Sequence, residues 1–169
     1  MKTLYVLCGV PGSGKSTFAR ENWRKLKGST AIVSRDEVRF SLVKENEDYF
    51  SKEKEVFRHF IEEIKAELSF RDNVIVDATH LNINSRTKLL RALSGEVLKN
   101  VYVSAIYFNV PLEVCLNRNS KRTGRKFVPE DRIKTMFKSF TKPSFEEGFD
   151  EIIQIDENGK ITYSLCEDN

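Results

Sequence analysis

A glycine-rich segment between an apolar run and a helical pattern is the feature that most constrains the fold. The apolar residues 4–8 predict a buried strand, and residues 15–27 predict the helix that follows. Glycines let successive backbone N–H groups turn inward toward an anion, and a helix N-terminus adds positive potential there. The order strand, loop, helix therefore predicts a phosphate-binding loop rather than an ordinary glycine-rich turn. The segment reads Gly9-Val10-Pro11-Gly12-Ser13-Gly14-Lys15-Ser16-Thr17, which is G-x-x-x-x-G-K-S followed by a second hydroxyl residue.

Each residue type in this loop has an expected role toward ATP and Mg²⁺. Lys15 is expected to reach the β- and γ-phosphates, and the Ser16 hydroxyl is expected to bind Mg²⁺. The backbone of the loop is expected to surround the phosphates. The other residues that we expect to contact the nucleotide are Gly9, Pro11, Gly12, Ser13, Gly14 and Thr17.

Strand and helix patterns alternate along the rest of the chain. Such alternation predicts an α/β fold with a parallel sheet of about five strands and helices on both faces. Together with the phosphate-binding loop, it predicts a P-loop NTPase three-layer sandwich. We expect one domain over residues 1–169, a helical lid near residues 117–128, and a C-terminal hairpin near residues 151–165 that turns at Asn158-Gly159. The predicted strands are 4–8, 31–34, 74–77, 101–108 and 151–155, and the predicted helices are 15–27, 36–43, 52–71, 84–94, 112–119 and 129–141.

The composition indicates the cellular compartment of the protein more clearly than its activity. No apolar run is long enough to span a membrane, and residues 1–8 enter a predicted strand without a leader pattern. The three cysteines, Cys8, Cys115 and Cys166, are widely spaced and odd in number, which is unlike a disulfide framework or a zinc site. We therefore expect a cytoplasmic protein with reduced cysteines. The net charge of +3 favours no class of partner.

An acidic and a basic residue follow the second predicted strand. Asp36 opens a short helix, and Arg39 lies one turn later on the same face. An ordinary interpretation is a helix-capping aspartate with a nearby arginine partner. Because ligands of parallel sheets bind beyond the carboxyl ends of the strands, we instead expect Asp36 to accept a proton from an acceptor hydroxyl and Arg39 to hold the acceptor. Glu37 is the second choice for the carboxylate.

The third predicted strand also ends in a carboxylate. Asp77 closes an apolar run, as in the Walker B pattern that helps to hold Mg²⁺ or its water. Thr79 and Asn82 follow and are candidates to orient the acceptor or the waters of Mg²⁺. We interpret His80 as a packing or hydrogen-bonding residue rather than a base, because Asp36 is better placed.

Five positive charges occupy nine positions in residues 118–126. The spacing of Arg118 and Arg122 predicts that both guanidinium groups lie on one side of a helix. A loop with Gly124 as its hinge and Arg125 beside it can close over a nucleotide, where arginines neutralise charge on the transferring phosphoryl group. The alternative is a solvated basic face.

Three aromatic residues lie near the Asp36 segment. Phe40, Tyr49 and Phe50 can line a groove for the acceptor, although aromatic residues at such spacing are more often part of the core.

Four segments together resemble the phage-type polynucleotide 5′-kinases over roughly residues 2–141. The resemblance rests on residues 11–20, on Arg35-Asp36 with Arg39, on Asp77-x-Thr-x-Leu-Asn82, and on Arg118-Asn-Ser-Lys-Arg122 through Val128-Pro129. It implies that Lys15 and Ser16 hold ATP and Mg²⁺ and that Asp36 is the general base on a 5′-hydroxyl. It also implies that Arg39 positions the acceptor, while Arg118 and Arg122 contact the donor phosphates from the lid.

Two departures from this family matter. In some relatives the acidic residue directly precedes the threonine, whereas Ala78 separates Asp77 from Thr79 here. The sequence also lacks a D-x-D-G-T phosphatase signature, so end healing would need a separate phosphatase or ligase partner. The open alternatives are a small-molecule kinase that acts on a nucleoside or sugar, and an ATP-binding switch or ATPase module. The sequence does not distinguish DNA from RNA.

Overall fold

A computed structural model describes residues 1–165, so Cys166 lies outside the described residues. Six strands form one sheet in the order β2-β3-β1-β4-β5-β6. The first five run parallel, and β6 is antiparallel to β5. The strands are β1 (Lys2–Cys8), β2 (Thr30–Ser34), β3 (Asn73–Asp77), β4 (Val101–Asn109), β5 (Glu151–Asp156) and β6 (Ile161–Leu165).

Six α-helices connect these strands and cover both faces of the sheet. One apolar cluster includes buried residues of α3 and α4 packed on β1 and β3, and a second includes residues of α1, α5 and α6 on the opposite face. The predicted α/β fold with helices on both faces is confirmed. The helices are α1 (Lys15–Asn22), α2 (Arg35–Leu42), α3 (Glu53–Phe70), α4 (Ile83–Leu93), α5 (Leu112–Ser120) and α6 (Glu130–Ser139).

The parallel strands bring their carboxyl ends to one edge of the sheet. Strand β1 lies between β3 and β4, and the glycine-rich loop follows it directly. Ser34 at the end of β2 pairs with Asp77 at the end of β3. Because of this register, the segments that follow β1, β2 and β3 meet at a single edge, where ligands of such sheets bind.

The remaining segments have simpler features. Asp156 accepts hydrogen bonds from the backbone of Asn158, Gly159 and Lys160, which closes the turn between β5 and β6. Cys8 and Cys115 are buried free thiols. None of the helices within residues 1–165 combines the length and the apolar composition that crossing a lipid bilayer requires.

Candidate active site

The glycine-rich loop depends on backbone angles that side chains resist. Gly12 has φ +83° and Gly14 has φ +100°, both in the left-handed region. A Cβ atom on Gly12 would lie 2.3 Å from the carbonyl oxygen of Cys115 in α5. Glycine at position 12 therefore permits both the turn of the loop and the close approach of α5.

Lys15 lies buried at the start of α1. Its ammonium donates to Val10 O at 2.9 Å and to Ser13 Oγ at 3.4 Å, so it lies along the inside of the loop. Burial lowers the pKa of Lys15, while the charges of Asp77 and Asp36 raise it and that of Arg122 lowers it. The ammonium is therefore in electrostatic range of both predicted carboxylates and of one predicted lid arginine.

Asp36 lies in the first turn of α2 with its carboxylate available. The helix is capped instead by Ser34, whose Oγ accepts from Glu37 N at 3.4 Å. Asp36 Oδ1 accepts hydrogen bonds from Arg39 Nη1 at 3.1 Å and from the Tyr49 hydroxyl at 2.9 Å. Its side chain remains 65% exposed. The carboxylate is thus oriented by two donors and still accessible to an incoming hydroxyl.

Arg39 is held in place by a residue that the sequence did not reveal. Glu53, in the first turn of α3, accepts from Arg39 Nε at 3.0 Å and from Arg35 Nη2 at 2.9 Å. Arg39 is only 5% exposed and lies 4.5 Å from the centroid of the Tyr49 ring. Acidic residues are common in the first turn of a helix. The sequence around Glu53 therefore does not identify it as part of a site.

Tyr49 is a second partner of this cluster. Burial and the charge of Asp36 raise the pKa of Tyr49, which keeps the phenol protonated as a donor to that carboxylate. The position of Tyr49 near Asp36 in the sequence indicated a place in the groove for the acceptor. No sequence pattern indicated the hydrogen bond between the two side chains.

The segment after β3 combines a buried carboxylate with structural hydrogen bonds. Asp77 is buried at the strand end. The backbone of Thr79 accepts from Gly9 N at 2.8 Å, which ties this segment to the glycine-rich loop. Asn82 Oδ1 accepts from Ser85 N at 3.1 Å as the cap of α4. Contacts of Thr79 and Asn82 with a substrate remain predictions.

His80 is a buried hydrogen-bonding residue, as predicted. It is buried, and its Nδ1 donates to Leu7 O at 2.8 Å. Burial lowers the pKa of His80 to about 4, so the imidazole is neutral near pH 7. The residue supports the end of β1 through this hydrogen bond.

The arginines of the predicted lid take different positions. Arg118, in the last turn of α5, donates from Nη1 to Ser13 O at 3.3 Å and from Nη2 to Glu157 O at 3.2 Å. The prediction that Arg118 and Arg122 share one helix face is wrong, because α5 ends at Ser120. Arg122 instead follows a turn in which its N–H donates to Asn119 O at 2.9 Å. Its charge still acts on Lys15.

Arg125 connects the segment of the predicted lid to α2. Its guanidinium lies 4.3 Å from the centroid of the Phe40 ring and donates to Val43 O at 2.6 Å and to Phe40 O at 3.5 Å. A cation at the C-terminal end of a helix is stabilised by the helix dipole. Contact of Arg125 with a nucleotide therefore remains a prediction, while its contact with α2 was not foreseen.

The oxygen donors at this edge fit Mg²⁺ bound together with phosphates. Within residues 1–165, no cluster of three or more His, Cys, Asp or Glu side chains could hold a metal alone. The Ser16 hydroxyl and the Asp77 carboxylate are hard oxygen ligands of the kind that Mg²⁺ takes alongside phosphate oxygens. When bound, Mg²⁺ would neutralise charge on the phosphates.

Comparison with known proteins finds a matching family model and relatives that are named as kinases. A family model described as an AAA domain matches residues 4–143. An L-seryl-tRNA(Sec) kinase from Methanococcus maripaludis is 33% identical over 170 residues, which cover 95% of this chain and 62% of the relative. A protein of Autographa californica nuclear polyhedrosis virus, named for bifunctional polynucleotide kinase/RNA ligase activity, is 32% identical over 83% of this chain and 21% of its own length.

A solved structure agrees with these relatives. A chain of the Pnkp1/Rnl/Hen1 RNA repair complex is 29% identical, with a TM-score of 0.70 over 82% of this chain and 43% of that chain. The chain thus spans less than two thirds of each of these relatives. They confirm the predicted resemblance to polynucleotide kinases. The chain belongs to the AAA-domain family whose model it matches, and both of its sequence relatives described above are named as kinases.

Proposed function

We propose that this kinase transfers the γ-phosphoryl group of ATP to the 5′-hydroxyl of a polynucleotide. The observation that carries the proposal is the arrangement around Asp36, whose exposed carboxylate is fixed by Arg39 and Tyr49. This arrangement lies at the same sheet edge as Lys15, whose pKa responds to the Asp36 charge. Relatives named for polynucleotide kinase and RNA repair support a nucleic-acid acceptor.

The proposed reaction has three requirements, and different residues meet each of them. Asp36 takes the proton of the acceptor hydroxyl as its oxygen forms a bond to the γ-phosphorus and the bond to the bridging oxygen of ADP breaks. Arg39, held by Glu53, orients the acceptor. Lys15 and the lid arginines stabilise the negative charge that spreads over the phosphoryl oxygens.

The test is phosphoryl transfer from γ-labelled ATP to a 5′-hydroxyl oligonucleotide, in DNA and RNA forms. We expect Asp36→Asn to lower kcat by about 100-fold or more while ATP binding persists. Glu37→Gln is the matched control, since Glu37 neighbours Asp36 in the same helical turn, and it should keep near-normal transfer. Label on a nucleoside or sugar but not on the oligonucleotide would refute the proposal. Normal ATP turnover by Asp36→Asn would indicate an ATPase module instead.

A second candidate is a kinase of a seryl group carried by tRNA. The relative of that name matches 95% of this chain, and the same carboxylate can accept a proton from a seryl hydroxyl. Adding seryl-tRNA to the panel of acceptors separates the two reactions. Transfer to seryl-tRNA that exceeds transfer to 5′-hydroxyl ends would favour this candidate.

Two further expectations belong to the same proposal. If the chain heals nucleic-acid ends, a separate phosphatase or ligase would complete the reaction sequence. The similar solved structure is that of an RNA repair complex of Pnkp1, Rnl and Hen1. A reducing cytoplasm suits the buried free thiols of Cys8 and Cys115. Co-purification of the tagged chain from its source cells would identify such a partner.

A further inference from the structure

Phe50 is an exposed aromatic residue next to the proposed acceptor carboxylate. It lies between α2 and α3 and is 45% exposed. Its ring packs edge-on against Tyr49, with 4.9 Å between the ring centroids, and Tyr49 donates to Asp36. Neither apolar cluster of the core includes Phe50. Packing within the described core therefore does not account for this aromatic side chain.

Two guanidinium groups lie against the same ring. The Arg39 and Arg132 guanidinium carbons lie 5.8 Å and 5.1 Å from the centroid of Phe50. Arg39 is neutralised by Glu53 and Asp36. Arg132, in the first turn of α6, forms no ion pair with a carboxylate among residues 1–165. Its positive charge therefore remains available to an anion from solution.

These distances place Phe50 and Arg132 close to Asp36, the proposed base. The Arg39 guanidinium contacts both the Asp36 carboxylate, at 3.1 Å, and the Phe50 ring. One side chain thus joins the proposed base to the aromatic ring, so the two lie within the span of the terminal nucleotides of a strand. A half-exposed aromatic ring beside a cation without a carboxylate partner in residues 1–165 matches a base with its adjoining phosphate, because bases stack on aromatic rings and phosphates bind arginine.

We propose that Phe50 and Arg132 form a subsite for an unpaired base at the 5′ end of the acceptor, with Phe50 as the stacking surface and Arg132 on the adjoining phosphate. The inference rests on the proposed function, because it assumes that the acceptor hydroxyl reaches Asp36. It goes further by assigning the two residues that hold the terminal base and its adjoining phosphate. A base that is paired in a blunt duplex cannot leave its own stack without an energetic cost.

The experiment compares three 5′-hydroxyl acceptors: a single strand, the same strand with an abasic 5′-terminal pair of nucleotides, and a blunt duplex. On the single strand, Phe50→Ala should raise KM about tenfold with kcat within about twofold, and Phe50→Trp should restore KM. On the abasic strand, Phe50→Ala should have no effect. The wild-type protein should prefer the single strand to the blunt duplex.

Two controls separate stacking from general effects. Phe70→Ala removes a more exposed phenylalanine at the opposite end of α3 from Glu53 and should leave all acceptors unchanged. Arg132→Gln should weaken binding of every acceptor that keeps the phosphate and reduce the slope of log K against log salt by about one. An equal effect of Phe50→Ala on the normal and abasic strands would overturn the stacking role, and an unchanged salt slope would overturn the role of Arg132.

Direct binding of the single strand, measured by fluorescence anisotropy, distinguishes this inference from the proposed function. Transfer that is unaffected by Phe50→Ala would refute the subsite and leave the kinase assignment standing. Binding that depends on Phe50 without any transfer would refute the 5′-kinase proposal and retain the subsite. Absence of both binding and transfer in the wild-type protein would refute both.

Discussion

The glycine-rich loop shows how a single residue can determine whether a site forms. Gly12 combines a positive φ with a Cβ position that the Cys115 carbonyl would occupy. The positive φ restricts the backbone conformation at position 12, and the Cys115 carbonyl restricts the space for a side chain there. Both must be met before α5 can pack against the loop and bring Arg118 onto Ser13 O.

A pair of alanine substitutions separates these two properties. Gly95 has φ +88° but no atom within 4 Å of its Cβ position, so Gly95→Ala should cost only the left-handed strain, about 1–2 kcal/mol. Gly12→Ala has nearly the same φ plus a contact of 2.3 Å with backbone, and we expect about 1–3 kcal/mol more. Urea denaturation gives both values. Equal losses of stability would show that α5 moves away without cost.

The elements themselves follow local patterns, whereas their contacts do not. Apolar runs and helical periodicity predicted the strands and helices to within a few residues at most ends. The end of α5 was predicted to within one residue of Ser120, whereas the spacing of Arg118 and Arg122 wrongly extended the helix to Arg122. The contacts of Arg125 with α2 and of Arg118 with Glu157 join residues that are far apart in sequence. Such pairings depend on tertiary packing, which no local pattern encodes.

The contact between the lid segment and α2 has a measurable consequence. Arg125 binds the carbonyls at the end of α2, where the Val43 amide donates to Arg39 O at 2.8 Å. Because hydrogen bonds from a charged donor contribute about 1.5–3 kcal/mol, Arg125→Ala should raise hydrogen exchange of the Val43 amide by about tenfold or more. Lys126→Ala, at the exposed neighbouring position, is the control and should leave this rate unchanged. Equal rates in both variants would contradict the coupling.

At the scale of the whole molecule, one buried ion pair connects distant parts of the chain. Arg86 in α4 is fully buried and donates to both carboxylate oxygens of Glu147, at 2.7 and 2.8 Å. The same guanidinium donates to His80 O, Thr141 O and Lys142 O. It therefore links the segment after β3, which lines the site, with the segment that leads from α6 to β5.

Removing both members of this pair should destabilise the protein less than the two single removals added together. Glu147→Leu leaves a buried, uncompensated guanidinium, and we expect a loss of about 3–5 kcal/mol in the free energy of unfolding. The double variant Arg86→Met, Glu147→Leu removes both charges, so its loss should be smaller than the sum of the two single losses. Glu62→Gln in the exposed Arg58–Glu62 pair is the control and should cost no more than about 0.5 kcal/mol. If the losses in this urea-denaturation cycle are additive, the carbonyl partners alone compensate the buried charge of Arg86. The two segments are then joined by packing rather than by charge.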